Sequence, residues 1–528
     1  MQIPELAQGL TWHDLSYLAP ELMLVAAAIL ITLMDLALPR RLSGAASGAL
    51  SLFAILLSLG LVVWRMIDMN GAGDSADGTS PASSIVRLLG DSYRIDDFAN
   101  LMKIVFLVSG ALIALLAIGH VRRDAEVTDK GEYFTLLLPA LTGAMIVASS
   151  GDLVTLFVGL ELLSITTYVL VGIRKNVSKS TEASFKYIVV GSISSAMMLF
   201  GMSYLYGVTG STNLGGIAQG MQQAVVDYRA LLYVGFFFLI GGLAIKIAAA
   251  PFHAWAPDVY QGSSIPVAAF LAVVSKGAAL AVLFRIVFST ALFHTSPFAG
   301  PAAGEIGDDV FLALQALAAA AMIAGTTAAL RQRNMKRLLA LSGVANAGYL
   351  MVPIAIGIAD LHTANMGEFW YYLVAYLFMT IGAFAVLSVV GGSAGHYGLG
   401  AFAGLYYRAP WTAAAMIALV LSLAGLPVSG GFLGKLFILM GAASSGDYWL
   451  LAIMVATSVI SYYFYFAIVR QMFMRAGDEA QPVRVPASAG IVIWLCAGAS
   501  LALGLLPAPL LDMVDRTFSL LSDLFVHG

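Results

Sequence analysis

The chain has 528 residues, is 60% hydrophobic and 11% charged, and carries a formal net charge of −3 with a mean hydropathy of +0.89. Repeated apolar runs of about 20 residues mark membrane helices, which excludes a water-soluble protein of this length. The segments between runs are shorter than the roughly 50 residues a small folded domain needs, so residues 1–528 form one integral membrane domain without a soluble catalytic module.

Taken in chain order, the runs predict about 14 helices. They lie near 15–38, 44–64, 96–119, 132–149, 152–172, 183–207, 230–256, 262–292, 309–330, 338–357, 369–391, 410–441, 448–469 and 487–507. The first is not a cleavable signal: Glu5 and Asp14 precede it instead of a basic segment, and it is long enough to span. Basic residues orient the set. With the N-terminus outside, Arg40, Arg41, Arg122, Arg123, Lys130, Arg174, Lys175 and Lys179 fall on inner loops, as do Arg331, Arg333, Lys336, Arg337, Arg408, Arg470, Arg475 and Arg484. The outer segments hold only Arg65, Arg87, Arg94, Arg229 and Arg516, so both termini are expected outside.

Two spans carry helix breakers. In IGGLAIKIAAAPFHAWAPDVYQG (240–262), Pro251 and Pro257 predict an interruption of the seventh helix between them, with Lys246 before it and His253 after Pro251. In SLAGLPVSGGFLGKLFI (422–438), Gly425, Pro427, Gly430 and Gly431 break the twelfth helix ahead of Lys435. Broken backbone at membrane depth must be buried in protein or line a watery cavity. The breaks lie five spans apart, an odd number, so helices 4–8 and 9–13 would form two inverted five-helix repeats, the arrangement found in transporters. On this reading 1–130 holds helices 1–3, 131–293 the first repeat, 308–470 the second, and 485–528 the last helix and C-terminal tail.

Five charged residues interrupt the apolar runs: Glu161, Lys186, Lys246, Lys276 and Lys435. Each costs roughly 2.5–3.5 kcal/mol to place at bilayer depth, and the usual return is an ion or proton path. A buried amine loses proton affinity by desolvation and regains it beside a carboxylate, so a Glu161–Lys246 pair that opens and closes would switch proton binding. Each site also has a plainer reading. Glu161 and Lys246 could be a static pair, Lys186 could snorkel to the headgroups, and His253 could be a hydrogen-bonded residue of the break. Lys103 and Arg285 are expected to snorkel, with Arg285 alternatively touching a partner, and Asp258 is expected to cap the segment after the first break or admit protons. Cys496 is a packing residue.

Redox chemistry on this chain is excluded by inventory. One cysteine holds no iron–sulfur cluster, and of seven histidines only His253 lies within a span. No nucleotide-binding glycine motif occurs. No cofactor or metal is expected here, and no nucleic-acid partner.

The stretch KIAAAPFHAWAPDVYQGSSIPVAAFLAVVSKGAAL resembles the signature of the proton-translocating, antiporter-like membrane subunits of respiratory complex I. VGLELLSITTYVLVG, STEASFKYIVVGSISSAMMLFG, NMKRLLALSGVANAGYLM and SLAGLPVSGGFLGKLFIL agree, so the resemblance covers much of 152–440. The opening LAPELMLVAAAILITLMDLAL is most similar to the N-type chains of bacterial NADH-quinone oxidoreductase, relatives of mitochondrial chain 2. The chain stops soon after helix 14, without the lateral helical extension expected of an L-type chain. The resemblance implies a Glu161–Lys246 pair on helices 5 and 7, Lys186 near it on helix 6, Lys276 on helix 8 as a relay toward the second half-channel, Lys435 on helix 12 at the far half-channel, and His253 along the same axis. Ser275 departs from the family's pattern, which often has proline there, and implies a different bend before Lys276.

The function implied is a non-redox, proton-translocating subunit of bacterial NADH-quinone oxidoreductase, in the inner membrane. NADH, FMN, iron–sulfur clusters and quinone would be handled by partner subunits, and the chain's own neighbours would be antiporter-like and small membrane subunits and lipids. The alternatives are a subunit of a multisubunit sodium/proton antiporter or membrane-bound hydrogenase, and a structural subunit with static ion pairs.

Overall fold

The computed structural model describes residues 12–37, 40–71, 85–290, 301–356, 364–474, 483–518 and 523–524. The expected position of the termini concerns residues outside that set. The N-terminal layer consists of α1 (Trp12–Tyr17), α2 (Ala19–Ala37), α3 (Arg40–Gly71) and α4 (Asp97–Arg123). A two-stranded antiparallel hairpin, β1 (Val86–Leu88) and β2 (Tyr93–Ile95), precedes α4.

The first unit follows as α5 (Lys130–Ala148), α6 (Leu153–Val171), α7 (Ser178–Thr209), a short α8 (Leu214–Asp227), α9 (Arg229–Ile247), α10 (Trp255–Gly262), α11 (Ile265–Phe270) and α12 (Lys276–Ser289). The second comprises α13 (Pro301–Ala329), α14 (Met335–Ala355), α15 (Asn365–Ala394), the one-turn α16 (Leu405–Arg408), α17 (Pro410–Ala424), α18 (Gly430–Ser444) and α19 (Tyr448–Phe473). The chain then runs through α20 (Ala487–Leu505) and α21 (Ala508–Thr517). Thirteen described helices are long and apolar enough to cross a membrane, and the 15-residue α17 and α18 together make one further crossing. The polytopic all-α reading therefore holds; α8, α21 and the hairpin are additions that the hydropathy runs do not reveal.

The apolar pattern decides which helices sit centrally. The span Ile265–Ser289 and the helices α14 and α15 are buried almost all round. By contrast, α7 turns Phe185, Ile193 and Phe200 outward, a face that suits lipid. Within the units α5 packs along α6, α7 along α9, and α13 along α14, while α10 and α12 cross onto α14 and join the two halves.

Both expected breaks exist, but the first is misplaced by the proline argument. Helix α9 ends at Ile247, with Ala248 in the left-handed region, and the irregular stretch runs over 248–254. Pro257 lies in the first turn of α10, where a missing N–H costs nothing because no carbonyl awaits it. Proline thus marks the entry to the second half-helix instead of the far edge of the gap. The second break falls as expected between Ala424 and Gly430; Gly425 adopts φ +82°, and a Cβ there would also crowd Lys435 Cδ at 3.1 Å. Helix 8 is interrupted by a π-helical turn, Leu271–Ser275, immediately before Lys276.

The two units share a hydrogen-bonded frame. In the first, Leu153 N donates to Thr212 O at 2.9 Å and Leu214 N to Gly151 O at 3.0 Å. In the second, Met335 N donates to Tyr397 O at 2.8 Å and Leu399 N to Arg333 O at 2.9 Å. In each, a bridge joins the N-cap of the second helix (Asp152, Asn334) to the chain after the third helix (Asn213, Gly398), which ends at a left-handed glycine (Gly210, Gly395). Five spans separate the two frames, so they stand at opposite ends of the membrane.

Candidate functional site

Glu161 occupies the middle of α6, and Lys246 the last turn of α9. Lys246 Nζ lies 3.2 Å from Glu161 Oε1 and donates to Ser164 Oγ at 2.7 Å. Ser164 follows Glu161 by three residues, which places both on one face of α6. From α7, Ser195 Oγ donates to the same Glu161 oxygen. The side chains of Lys246 and Glu161 are 9% and 22% exposed, so the pair is sheltered without being sealed. A small cavity of about 10 Å³, lined by Ser164, Tyr168, Tyr187, Lys246, Trp255 and Ser275, lies between Lys246 and the residue preceding Lys276. Trp255 stacks on Tyr187 with centroids 4.9 Å apart and donates its indole N–H to Ile245 O at 3.1 Å, which ties α10 back to the end of α9.

Lys276 is 3% exposed, and its ammonium has no hydrogen-bond partner among the described residues. It presses on α14 at Gly343, where a Cβ would stand 3.1 Å from Nζ and 2.9 Å from Tyr376 Oη. Gly343 stands eight residues after Met335, as Glu161 stands eight after Leu153. Where the first unit has a carboxylate, the second has room, and Lys276 occupies it. Lys435, 5% exposed, donates to the last carbonyls of α17, Leu423 O at 3.1 Å and Ala424 O at 3.4 Å, and lies 4.7 Å above the Tyr349 ring. Carbonyls released by a helix break and carrying the negative end of a helix dipole are apt acceptors for an ammonium.

Sequence reasoning missed the groups around and between these lysines. Tyr372 donates to Asn346 Oδ1 at 2.5 Å, Asn346 donates to Ser342 O at 2.8 Å, and Ser342 and Tyr465 hydroxyls meet at 2.5 Å. Tyr349 donates to Thr457 Oγ1 at 3.2 Å and accepts from Ser458 at 3.2 Å. Ser342, Asn346 and Tyr349 stand in the quoted NMKRLLALSGVANAGYLM segment, and polar residues at helical spacing inside that span were the available signal.

One of the nominated residues, Lys186, stands apart from this interior chain. Lys186 is ion-paired to Glu182 at 2.7 Å and Asp258 at 2.8 Å, and its side chain is 41% exposed. Asp258 also binds Arg337. The cluster links α7, α10 and α14, so Lys186 is bonded there and not to Glu161. His253 is half-buried within the first break and within electrostatic reach of Lys276, so it stays beside the interior lysines.

Three cations read as peripheral are buried. Lys103 pairs with Glu21 at 2.8 Å and donates to Tyr93 Oη at 3.0 Å, with no side-chain exposure. Arg285 forms two 2.8 Å bonds to Asp96 and a third, 2.7 Å, to Ala148 O. Lys336 donates to Ser263 O at 2.6 Å at the end of α10. Snorkelling fails for the first two because an acid on a neighbouring helix meets each ammonium or guanidinium inside the protein, a pairing that hydropathy runs do not register.

A membrane protein with two interrupted helices and ionisable side chains strung through its interior is built as an ion-translocating protein is built. Comparison with known proteins narrows the class. Residues 150–461 match the family described as NADH:quinone oxidoreductase/Mrp antiporter, TM. A Paenibacillus protein named NADH-quinone oxidoreductase subunit N is 61% identical over 519 residues, covering 98% of this chain and 99% of the relative. A Brevibacillus brevis protein of the same name is 43% identical, with 96% of each chain covered. The chain therefore belongs to the NADH:quinone oxidoreductase/Mrp antiporter transmembrane family, among its N-type subunits.

A chain of respiratory complex I from Thermus thermophilus superposes with a TM-score of 0.74 at 30% identity, covering 93% of this chain and 98% of that one. A chain of the Mrp complex from Dietzia superposes with a TM-score of 0.78 at 19% identity, covering 96% and 97%, and shares the fold.

Proposed function

We propose that this chain is a proton-translocating membrane subunit of a bacterial NADH-quinone oxidoreductase, assembled with other membrane and peripheral subunits in the plasma membrane. The observation that carries the reading is the Glu161–Lys246 pair at 3.2 Å, set at the end of an interrupted helix in a chain so similar to N subunits. Glu161 is the anionic gate. Lys246, Lys276 and Lys435 are successive carriers, water and the hydroxyls of Ser164, Ser195, Tyr376 and Tyr372 bridge the gaps, and NADH, FMN, iron–sulfur clusters and quinone belong to partner subunits. Separation of the pair raises the tendency of Lys246 to release its proton, and closure restores it. Lys186 is assigned to the cluster with Asp258, where it would guide proton entry, and His253, within electrostatic reach of Lys276, joins the waters that bridge the gaps.

The antiporter alternative rests on the shared family, whose description also names Mrp antiporters, and on fold likeness at 19% identity; the 61% identity to a subunit N favours the oxidoreductase. The test is proton pumping by the complex in sealed vesicles, measured against its electron-transfer rate. Glu161→Gln and Lys246→Ala are expected to lower protons moved per NADH oxidised. Full pumping in both variants would rule the axis out.

A further inference from the structure

Away from the axis, a cavity of about 350 Å³ opens where the C-terminal ends of α4 and α15 meet the start of α20. That is within the roughly 300–1,000 Å³ typical of small-molecule sites. Three arginines line it: Arg123, Arg174 and Arg484. Arg174 is neutralised by Asp124 and reaches His120 Nε2 at 3.4 Å, while His120 Nδ1 meets Ser388 Oγ at 2.8 Å. Arg123 and Arg484 are exposed and have no ion-pair or hydrogen-bond partner among the described residues. The cavity therefore has an ordered polar floor and two uncommitted guanidiniums at its mouth. Leu116, Val389 and Ala489 supply an apolar wall.

We infer that this cavity binds the phosphate of an anionic phospholipid, with Arg123 and Arg484 as its ligands. A guanidinium pair matches phosphate oxygens in a planar, bidentate fashion. The apolar wall selects a lipid over a free anion, because acyl chains can run down it while the phosphate stays with the arginines. The site also stands at the membrane end where the basic loops gather, the side on which basic pockets between helices hold acidic headgroups. The Arg174–Asp124 pair and His120 shape the floor and bring no net unpaired charge, so selectivity rests on the two free arginines.

The test compares the assembled complex, carrying this full chain, in nanodiscs of phosphatidylcholine with small amounts of spin-labelled phosphatidylglycerol or spin-labelled phosphatidylcholine. The immobilised fraction of phosphatidylglycerol is expected to exceed that of phosphatidylcholine. The Arg123→Gln/Arg484→Gln variant is expected to lose about fivefold in relative affinity per arginine, about 25-fold together. Arg123→Lys/Arg484→Lys keeps the charge and is expected to retain part of the preference, and it serves if the neutral variant fails to assemble. Equal retention of the two lipids by the unmodified complex would overturn the inference. So would displacement of phosphatidylglycerol by millimolar inorganic phosphate, which would identify a soluble phosphate as ligand. Protection of both arginines from phenylglyoxal by a partner subunit in lipid-depleted complex would likewise overturn it, assigning the cavity to a protein contact.

Discussion

Arg285 and Asp96 show how a single pair can settle the reading of a charge. Their side chains are 1% and 0% exposed and bound twice over. Removal of one partner from such a pair strands a buried charge, so Arg285→Ala is expected to destabilise the chain by about 3–5 kcal/mol, measured as a lower midpoint in thermal denaturation of the purified complex. The Glu21–Lys103 pair gives a sharper comparison. Lys103→Met alone is expected to be strongly destabilising, while Glu21→Met with Lys103→Met recovers most of the loss, because two apolar groups of similar volume replace an ion pair at little net cost. If both variants were equally unstable, the pair would have a role beyond mutual neutralisation. Lys246 differs from these cations in kind: its acid partner stays partly accessible, and a small cavity adjoins it, which suits exchange better than anchorage.

At the scale of the element, the interrupted helices do two things at once. They expose backbone carbonyls at membrane depth and place a lysine beside them, as Lys435 meets Leu423 and Ala424. Gly425→Ala should therefore be doubly unfavourable. It forces φ +82° on an L side chain, at a cost of about 1 kcal/mol or more, and pushes on the Lys435 stem. The expected outcome is reduced pumping at unchanged subunit assembly, checked by vesicle acidification beside a native gel. The breaker residues were legible in sequence, and so was the second break. The first was shifted because the helix ends at Ala248 by adopting a left-handed turn, a choice that no alanine announces. The π-turn before Lys276 was anticipated only as an altered bend at Ser275, since proline statistics say where a helix cannot continue and nothing about where it widens.

Over the whole molecule, the two units contribute unequal chemistry to one frame. Matched links at Leu153/Thr212 and Met335/Tyr397 fix α6 and α14 in equivalent places, yet Glu161 in the first corresponds to Gly343 in the second. Lys276 can thus cross from the first unit into the space the second leaves open. Enlarging that position by Gly343→Ala is expected to displace Lys276 and Tyr376 and to lower pumping more than stability, measured by the same vesicle assay and a thermal melt. Affinity purification of the chain from native membranes in mild detergent is expected to recover flavin and iron–sulfur subunits with NADH:quinone activity. Recovery of hydrophobic subunits alone would move it to the antiporters. By itself, the sequence determined the membrane class, the crossings, the second break and the position of Glu161, Lys246, Lys276 and Lys435 within apolar spans, because apolar length and the cost of charge in lipid are local properties of the chain. The Glu161–Lys246 pair was expected from the resemblance, and the structure sets it at 3.2 Å; only the tertiary structure decided that Lys186 turns to Asp258, that Lys103 and Arg285 are neutralised inside, and that Asn346 and Tyr372 lie among the lysines. Those outcomes depend on which faces of distant helices are brought together, and hydropathy carries no record of a partner hundreds of residues away.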